Sequence, residues 1–198
     1  MRNGKPSRYN RRMRLIAPAE YRRMPWRNGR GSTLEVAIHP HDAAWADFQW
    51  RVSIAEIESD GPFSTFPGID RALVVLAGSG MRLTGIRDEP VDVRACDLVA
   101  FAGEAQVESR LIDGPTRDLN VMTRRGAVRA EVRVVRRERI VCTGEAAYVC
   151  HAASGSCACV VGDSTVEVRE AHTLVCDASR FAVDASDAAV AVVARIAA

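Results

Sequence analysis

The sequence predicts an all-β protein, two small antiparallel barrels or jelly-roll-like units in one chain, on three observations. Short β-branched and apolar runs recur along its length, separated by Gly, Pro and Asp punctuation. Fourteen such runs, with turns between them at close spacing, fit a sandwich or barrel. A faint internal repeat divides them. Leu73–Leu83 (LVVLAGSGMRL) is echoed by Val149–Val160 (VCHAASGSCACV), and Cys96–Gly103 (CDLVAFAG) by His172–Ser179 (HTLVCDAS), at offsets of 75 and 76 residues. Two agreeing offsets point to duplication of a β-barrel unit.

In chain order, Met1–Arg12 reads as a flexible basic tail, and Met13 opens the first apolar pattern. Candidate strands follow at Thr33–Ile38, Gln49–Glu56, Ala72–Leu76, Met81–Thr84, Asp97–Phe101, Glu108–Leu111, Asp118–Thr123 and Ala130–Val135. Further ones are Ala147–His151, Cys157–Val161, Thr165–Val168, His172–Cys176, Phe181–Val183 and Ala189–Ile196. The last is ambiguous, because its alanines favour helix and its Val and Ile favour strand. Ala43–Asp47 fits one helical turn, and Gly78–Gly80 fits a hairpin turn.

The chain has 198 residues, 47% of them hydrophobic, which is enough for a real core. A net charge of only +2 gives no reason to expect nucleic acid or an anionic membrane as partner. No apolar run reaches the roughly 20 residues that a membrane-spanning helix needs. The basic, polar N-terminus lacks the apolar region of an export signal, so the six cysteines are expected to be reduced thiols in a cytoplasm.

Polar chemistry concentrates in the N-terminal two thirds. Trp26–Thr33 (WRNGRGST) holds the turn dipeptide Asn28–Gly29. It is either a plain connection into the next strand or a loop whose backbone N–H groups and Asn28 amide face a ligand. On Gln49–Glu56, alternation puts Arg51, Ser53 and Ala55 on one face and Trp50, Val52 and Ile54 on the other. Arg51 then points to solvent or into a polar lumen. Gly61–Arg71 (GPFSTFPGIDR) ends on Asp70–Arg71 at the mouth of an apolar strand. An Arg there has its stem covered and its head held, which suits a carboxylate by paired hydrogen bonds or a structural ion pair. On Asp118–Arg124, alternation puts Asp118, Asn120, Met122 and Arg124 on one face against Leu119, Val121 and Thr123. That is an edge strand with one wet face, or a strand lining a barrel with its polar side inward.

Metal and nucleophile motifs are sparse. His39-Pro-His41 has no third ligand at a convincing spacing and reads as a surface loop. Cys150, His151, Cys157 and Cys159 form a denser group, but no paired CxxC is present. Zinc is one reading there; small apolar residues buried on one side of a strand is the other. No nucleophile elbow, HExxH or dinucleotide fingerprint occurs, and no cofactor or metal is expected.

Four blocks, PWRNGRGSTLEV (Pro25–Val36), FQWRVSIAEI (Phe48–Ile57), GPFSTFPGIDRALVVLAGSG (Gly61–Gly80) and DGPTRDLNVMTRRG (Asp113–Gly126), resemble in order and spacing those of the HutD/Ves family. The resemblance covers roughly 13–126; from Ala127 onward it holds only in pattern. It implies a bicupin fold, with units at 13–126 and 127–198 after the tail at 1–12. Counted against a metal-binding cupin, Arg71 stands at the Glu ligand, Ser64 and Phe66 near the two His ligands, and Gln106 near the last His. None of these makes the usual metal site, and an arginine stays protonated. The implied site is a converted one, with a fixed positive charge in place of a metal.

The resemblance further implies a role in histidine utilisation as a small regulatory component that senses an anionic intermediate such as formylglutamate or urocanate. Arg71, with Arg51 or Arg124 nearby and Asp118 and Asn120 as polar partners, is then the receptor, and Trp26, Phe63 and Phe66 supply apolar walls. The alternative is a metal-independent isomerase or hydrolase of a small carboxylic acid, in which an Arg-Asp-Asn pocket stabilises an oxyanion and moves a proton. A third reading is an interaction module with merely wet strands. Exposed edges in bicupins often pair, which leaves a homodimer open.

Overall fold

The computed structural model describes residues 13–26, 31–44, 46–186 and 188–198. The tail at Met1–Arg12 and the loop residue Asn28 lie outside the described residues. Seventeen strands form among those described. They are β1 (Met13–Ile16), β2 (Arg22–Pro25), β3 (Gly31–His39), β4 (Trp50–Ile57), β5 (Gly61–Pro62), β6 (Ile69–Ala77), β7 (Met81–Thr84), β8 (Val91–Val93) and β9 (Leu98–Ala102). After them come β10 (Glu108–Leu111), β11 (Thr116–Arg124), β12 (Arg129–Arg136), β13 (Arg139–Ser154), β14 (Cys157–Val161), β15 (Ser164–Val168), β16 (Thr173–Asp184) and β17 (Val190–Ala197). One 3-10 turn spans Pro18–Glu20, and no α-helix is present among the described residues. The described residues of Ala43–Asp47 form turns rather than a helical turn, with the Ala43 N–H on the Pro40 carbonyl at 3.1 Å. The ambiguous C-terminal segment is strand β17, paired on both sides by β12 and β13, so tertiary pairing overrides the helical preference of its alanines.

Strand alternation sorts the chain into layers. The first unit is a six-stranded sheet, β2-β3-β4-β11-β6-β9, covered by a four-stranded one, β5-β10-β7-β8. Leu73, Val75 and Val99 of the first pack on Met81, Leu83 and Val93 of the second. Gly78–Gly80 is not a hairpin turn: β6 and β7 do not pair, and the segment carries the chain from one sheet to the other. Gly80 is required in that crossover. Its φ is +92°, and a Cβ would lie 2.1 Å from the Val93 carbonyl oxygen.

The second unit is one sheet, β12-β17-β13-β16-β14-β15, with β1 added along β16. Two of its strands are long, 16 residues for β13 and 12 for β16, and the β13 register shifts between Thr143 and Ala146, where Gly144 takes a φ of +100°. Such a bulge bends a strand and lets one sheet curl over its own core. Tyr148 and Phe181 stack there with ring centroids 5.0 Å apart. Among the described residues neither unit closes a hydrogen-bonded ring; each is an open all-β layer structure.

The units share a core. Trp50, Val52 and Ile54 of β4 and Leu119 and Val121 of β11 pack against Val149, Val192, Ala194 and Ile196 of the second unit. The outward faces of β4 and β11 are therefore buried. The inward faces of the same strands look into the first unit, which settles how the polar residues are aimed.

Candidate functional site

Three neighbouring strands build the site. In the ladders, Met122 of β11 pairs with Arg51 of β4 on one side and Arg71 of β6 on the other, while Asn120 pairs with Ser53 and Asp118 with Ala55. Since alternate residues share a face, Arg51, Ser53, Arg71, Asp118, Asn120 and Met122 all turn inward. They line a cavity of about 660 Å³ together with Met24, Trp26, Thr33, Phe63, Ser64 and Phe66. Its polar floor is therefore the lumen side of the central sheet, and its apolar rim comes from the Gly61–Arg71 segment and from Met24, Pro25 and Trp26 at the end of β2.

Arg71 is 8% exposed. Its guanidinium carbon lies 4.9 Å from the Phe101 ring centroid, 5.2 Å from Phe63 and 5.5 Å from Phe66, so three rings surround the cation. Its Nη2 donates to Asn120 Oδ1 at 2.7 Å and its Nη1 to the Ser64 carbonyl at 3.3 Å. Its Nε has no hydrogen-bond partner among the described residues. Burial lowers its pKa to about 10, with Asp118 acting against and Arg51 adding to that shift, so it remains a cation at neutral pH.

Asn120 is the link between charges. While its oxygen accepts from Arg71, its Nδ2 donates to Asp118 Oδ1. Asp118 is wholly buried, and its Oδ2 accepts nothing from the described residues. Loss of hydration raises its pKa to about 7, against the opposing pull of Arg71. Arg51 is occupied differently: its Nε donates to Glu35 Oε2 at 2.7 Å and its Nη1 to Ser53 Oγ at 3.0 Å. The Arg51–Glu35 pair is neutral as a unit. Arg71 Nε and Asp118 Oδ2 are thus buried polar atoms of charged groups with no hydrogen-bond partner among the described residues. Such orphaned groups cost stability unless a ligand completes them.

The structure brings together Arg51, Arg71, Asp118, Asn120, Trp26, Phe63, Ser64 and Phe66 of the residues singled out in the sequence. Two others stand apart. Gln106 is exposed and outside the cavity, because tight turns with the Ala105 N–H on Ala102 O and the Val107 N–H on Ala105 O wind the chain there and turn the side chain out. Arg124 ends β11 and spends its guanidinium on the carbonyls of Phe48 at 2.9 Å and Ala46 at 2.6 Å. Sequence reasoning missed Glu35 and Phe101. Glu35 pairs with Ser53 in the β3–β4 ladder, a position from which it reaches Arg51, and Phe101 pairs with Arg71 in the β6–β9 ladder. Both follow from strand pairing, which one sequence does not display.

The candidate ligands of the histidine pair do not converge: His39 stacks on Trp50 at 5.6 Å, and His41 is exposed beside Asp42. Among the described residues no helix is long and apolar enough to cross a membrane.

The family model for HutD matches residues 18–193. The chain is 40% identical over 122 residues to protein Ves of Citrobacter koseri, which is 60% of this chain and 63% of that protein. It is 41% identical over 110 residues to an uncharacterized 21.2 kDa protein encoded in the hutC 3′ region of Pseudomonas putida, 56% of this chain and 57% of that one. The chain thus spans about three fifths of the length of these curated relatives. Among solved structures it is similar to a conserved protein of unknown function from Pseudomonas aeruginosa (TM-score 0.85, 28% identity, 94% of this chain and 100% of that one). It is also similar to HutD from Pseudomonas fluorescens SBW25 (TM-score 0.79, 27% identity, 93% and 98%). Salicylate 1,2-dioxygenase from Pseudoaminobacter salicylatoxidans, at TM-score 0.60 and 11% identity over 87% of this chain and 76% of that one, shares the fold alone. With the family model covering nearly the whole described chain, and two solved relatives superposing along its length, the chain belongs to the HutD family.

Proposed function

We propose that this chain is a receptor for a small carboxylate and serves histidine utilisation as a metabolite-sensing component, with formylglutamate or urocanate as the kind of ligand. The observation that carries the reading is the state of Arg71. It is a buried cation, ringed by phenyl groups, on the wall of a cavity large enough for a small metabolite. A carboxylate is the anion whose shape and charge suit a guanidinium. The pathway rests on the relatives: one is encoded in the hutC 3′ region, and a solved neighbour is named HutD.

A second reading draws on Asp118. A carboxyl that titrates near neutral pH, beside a cation, is suited to passing a proton to or from a bound acid, which is the isomerase or hydrolase alternative. One experiment separates the readings: calorimetric titration of wild type and Arg71→Ala with formylglutamate and urocanate, beside NMR observation of the same mixtures over hours. Saturable binding without new resonances, weakened about 100-fold in a folded Arg71→Ala protein, is the expected result. Turnover supports the enzyme instead. Equal binding by wild type and the variant overturns both.

A further inference from the structure

The second unit holds a group of side chains that the carboxylate site does not use. Cys150 of β13 and Cys157 and Cys159 of β14 are each at most 3% exposed, and their sulfurs all lie within 4.8 Å of one another. Cys150 Sγ and Cys157 Sγ are 3.8 Å apart. The two strands are not ladder neighbours, since β16 runs between them. The thiols therefore meet across the interior of the curled sheet: two on one strand face, at Cys157 and Cys159, and one from the opposing strand. Alternation in the sequence does bury Cys157 and Cys159 on one side of a strand, but it does not show that a third thiol faces them.

The spacing fits a shared ion. Three sulfurs about 2.3 Å from one centre stand about 4 Å apart in a trigonal plane. All six cysteines are free thiols, so none of the three is held in a disulfide. The surround is apolar, with Tyr148, Ala152, Val168, Leu174 and Phe181 in the same core. A structural zinc takes four donors, and among the described residues no fourth joins this group. A three-sulfur set in a dry, apolar pocket instead matches a soft monovalent d10 ion. The group also has a way in. Cys157 directly follows the exposed turn at Gly155 and Ser156, which places the first ligand at the edge of the core.

We propose that Cys150, Cys157 and Cys159 form a binding site for Cu(I) inside the second unit. The ion enters as Cu(I), each cysteine that ligates it gives its thiol proton to solvent, and no electron is exchanged.

The test uses the full chain purified without an affinity tag, kept reduced and free of oxygen. It is titrated with Cu(I) against a chromophoric Cu(I) chelator in excess. The expected result is one equivalent of copper per chain withheld from the chelator, with Cys157→Ser weakening that retention about 100-fold and Cys96→Ser leaving it unchanged. Cys159→Ala is the second variant, in case Cys157→Ser unfolds, and circular dichroism reports folding for each. Three results overturn the site. The chelator keeps all the copper while the six thiols titrate as free after unfolding. The isolated protein carries a Cys150–Cys157 disulfide by mass. Or zinc, rather than Cu(I), is held at one equivalent under the same competition.

Discussion

The two units share a plan and differ in what fills them. Strand β11 in the first unit and β17 in the second each run between two strands that precede them in the chain, β4 and β6 for β11 and β12 and β13 for β17, and the ladders allow positions to be matched. Asp118 pairs with Val75 in the first unit, and Val193 pairs with Cys150, which lies 75 residues beyond Val75. Val193 therefore stands where Asp118 does. By the same offset Tyr148 replaces Leu73, and Ala146, packed at the edge of the second core, replaces Arg71. The first lumen keeps a cation, a carboxyl and a cavity. The second is closed by stacked aromatics and small thiols. An open polar lumen in the first unit thus stands beside a tightly filled core in the second, and the apolar backs of β4 and β11 rest on that second unit.

The harshest way to break this comparison is to write the first lumen into the second. Val193→Asp places a carboxyl at a site 2% exposed, with Cys150 and other apolar groups around it and no Arg71 equivalent. Destabilisation of about 3–5 kcal/mol is expected, because a buried charge without a partner must be neutralised or left unsolvated. Urea unfolding measures it. A loss under 1 kcal/mol means that the second lumen tolerates polarity and the contrast is not one of packing.

A gentler substitution removes the orphaned carboxyl from the first lumen. Asp118 has a folded pKa of about 7 against an ordinary value of 3.8. The charged groups that face it are Arg71 on β6 and, farther off, Arg51 on β4 with its partner Glu35 on β3. The raised value means that the folded state holds the proton more tightly than the unfolded state does. Stability from this group is full below about pH 4, falls as pH rises toward 7, and is flat above it. Asp118→Asn removes that slope, so between pH 5 and pH 8 the wild type is expected to lose about 2–3 kcal/mol relative to the variant. Denaturation at the two pH values checks it, and parallel behaviour of the two proteins excludes Asp118 as the titrating group. Bound carboxylate adds negative charge beside Asp118 and favours its protonation, so affinity in the wild type declines above pH 7 while that of Asp118→Asn stays level.

How much of this was legible in the sequence follows from what each inference needed. Alternation along β4 and β11 assigned Arg51, Ser53, Asp118 and Asn120 to faces, and the structure shows those faces inward. Position along a strand is local information. Glu35, Phe101 and the meeting of Cys150 with Cys157 depend on which strands are neighbours or face each other, and that is set by the whole chain. Gln106 failed for another reason. Its placement by residue count against a metal-binding cupin presumes an extended chain, and the turns at Ala102–Val107 break the count.

Arg124 gives the smallest expected effect and the clearest separation of binding from support. Alternation puts it on the same strand face as Asp118 and Asn120, yet it lies beyond the cavity, where its guanidinium caps the carbonyls of Phe48 and Ala46 and covers the Phe48 ring at 5.7 Å. Phe48 is fully buried with Ile69 and Met122, so Arg124 closes the end of the sheet rather than the ligand site. Arg124→Ala is expected to cost about 1–2 kcal/mol of stability through two lost hydrogen bonds and the lost stacking. Carboxylate affinity should stay within about twofold of wild type, since no phenyl ring or donor at Arg71 changes. A loss of binding comparable to that of Arg71→Ala, with the protein still folded, moves the ligand toward the β11 terminus and redraws the boundary of the first lumen.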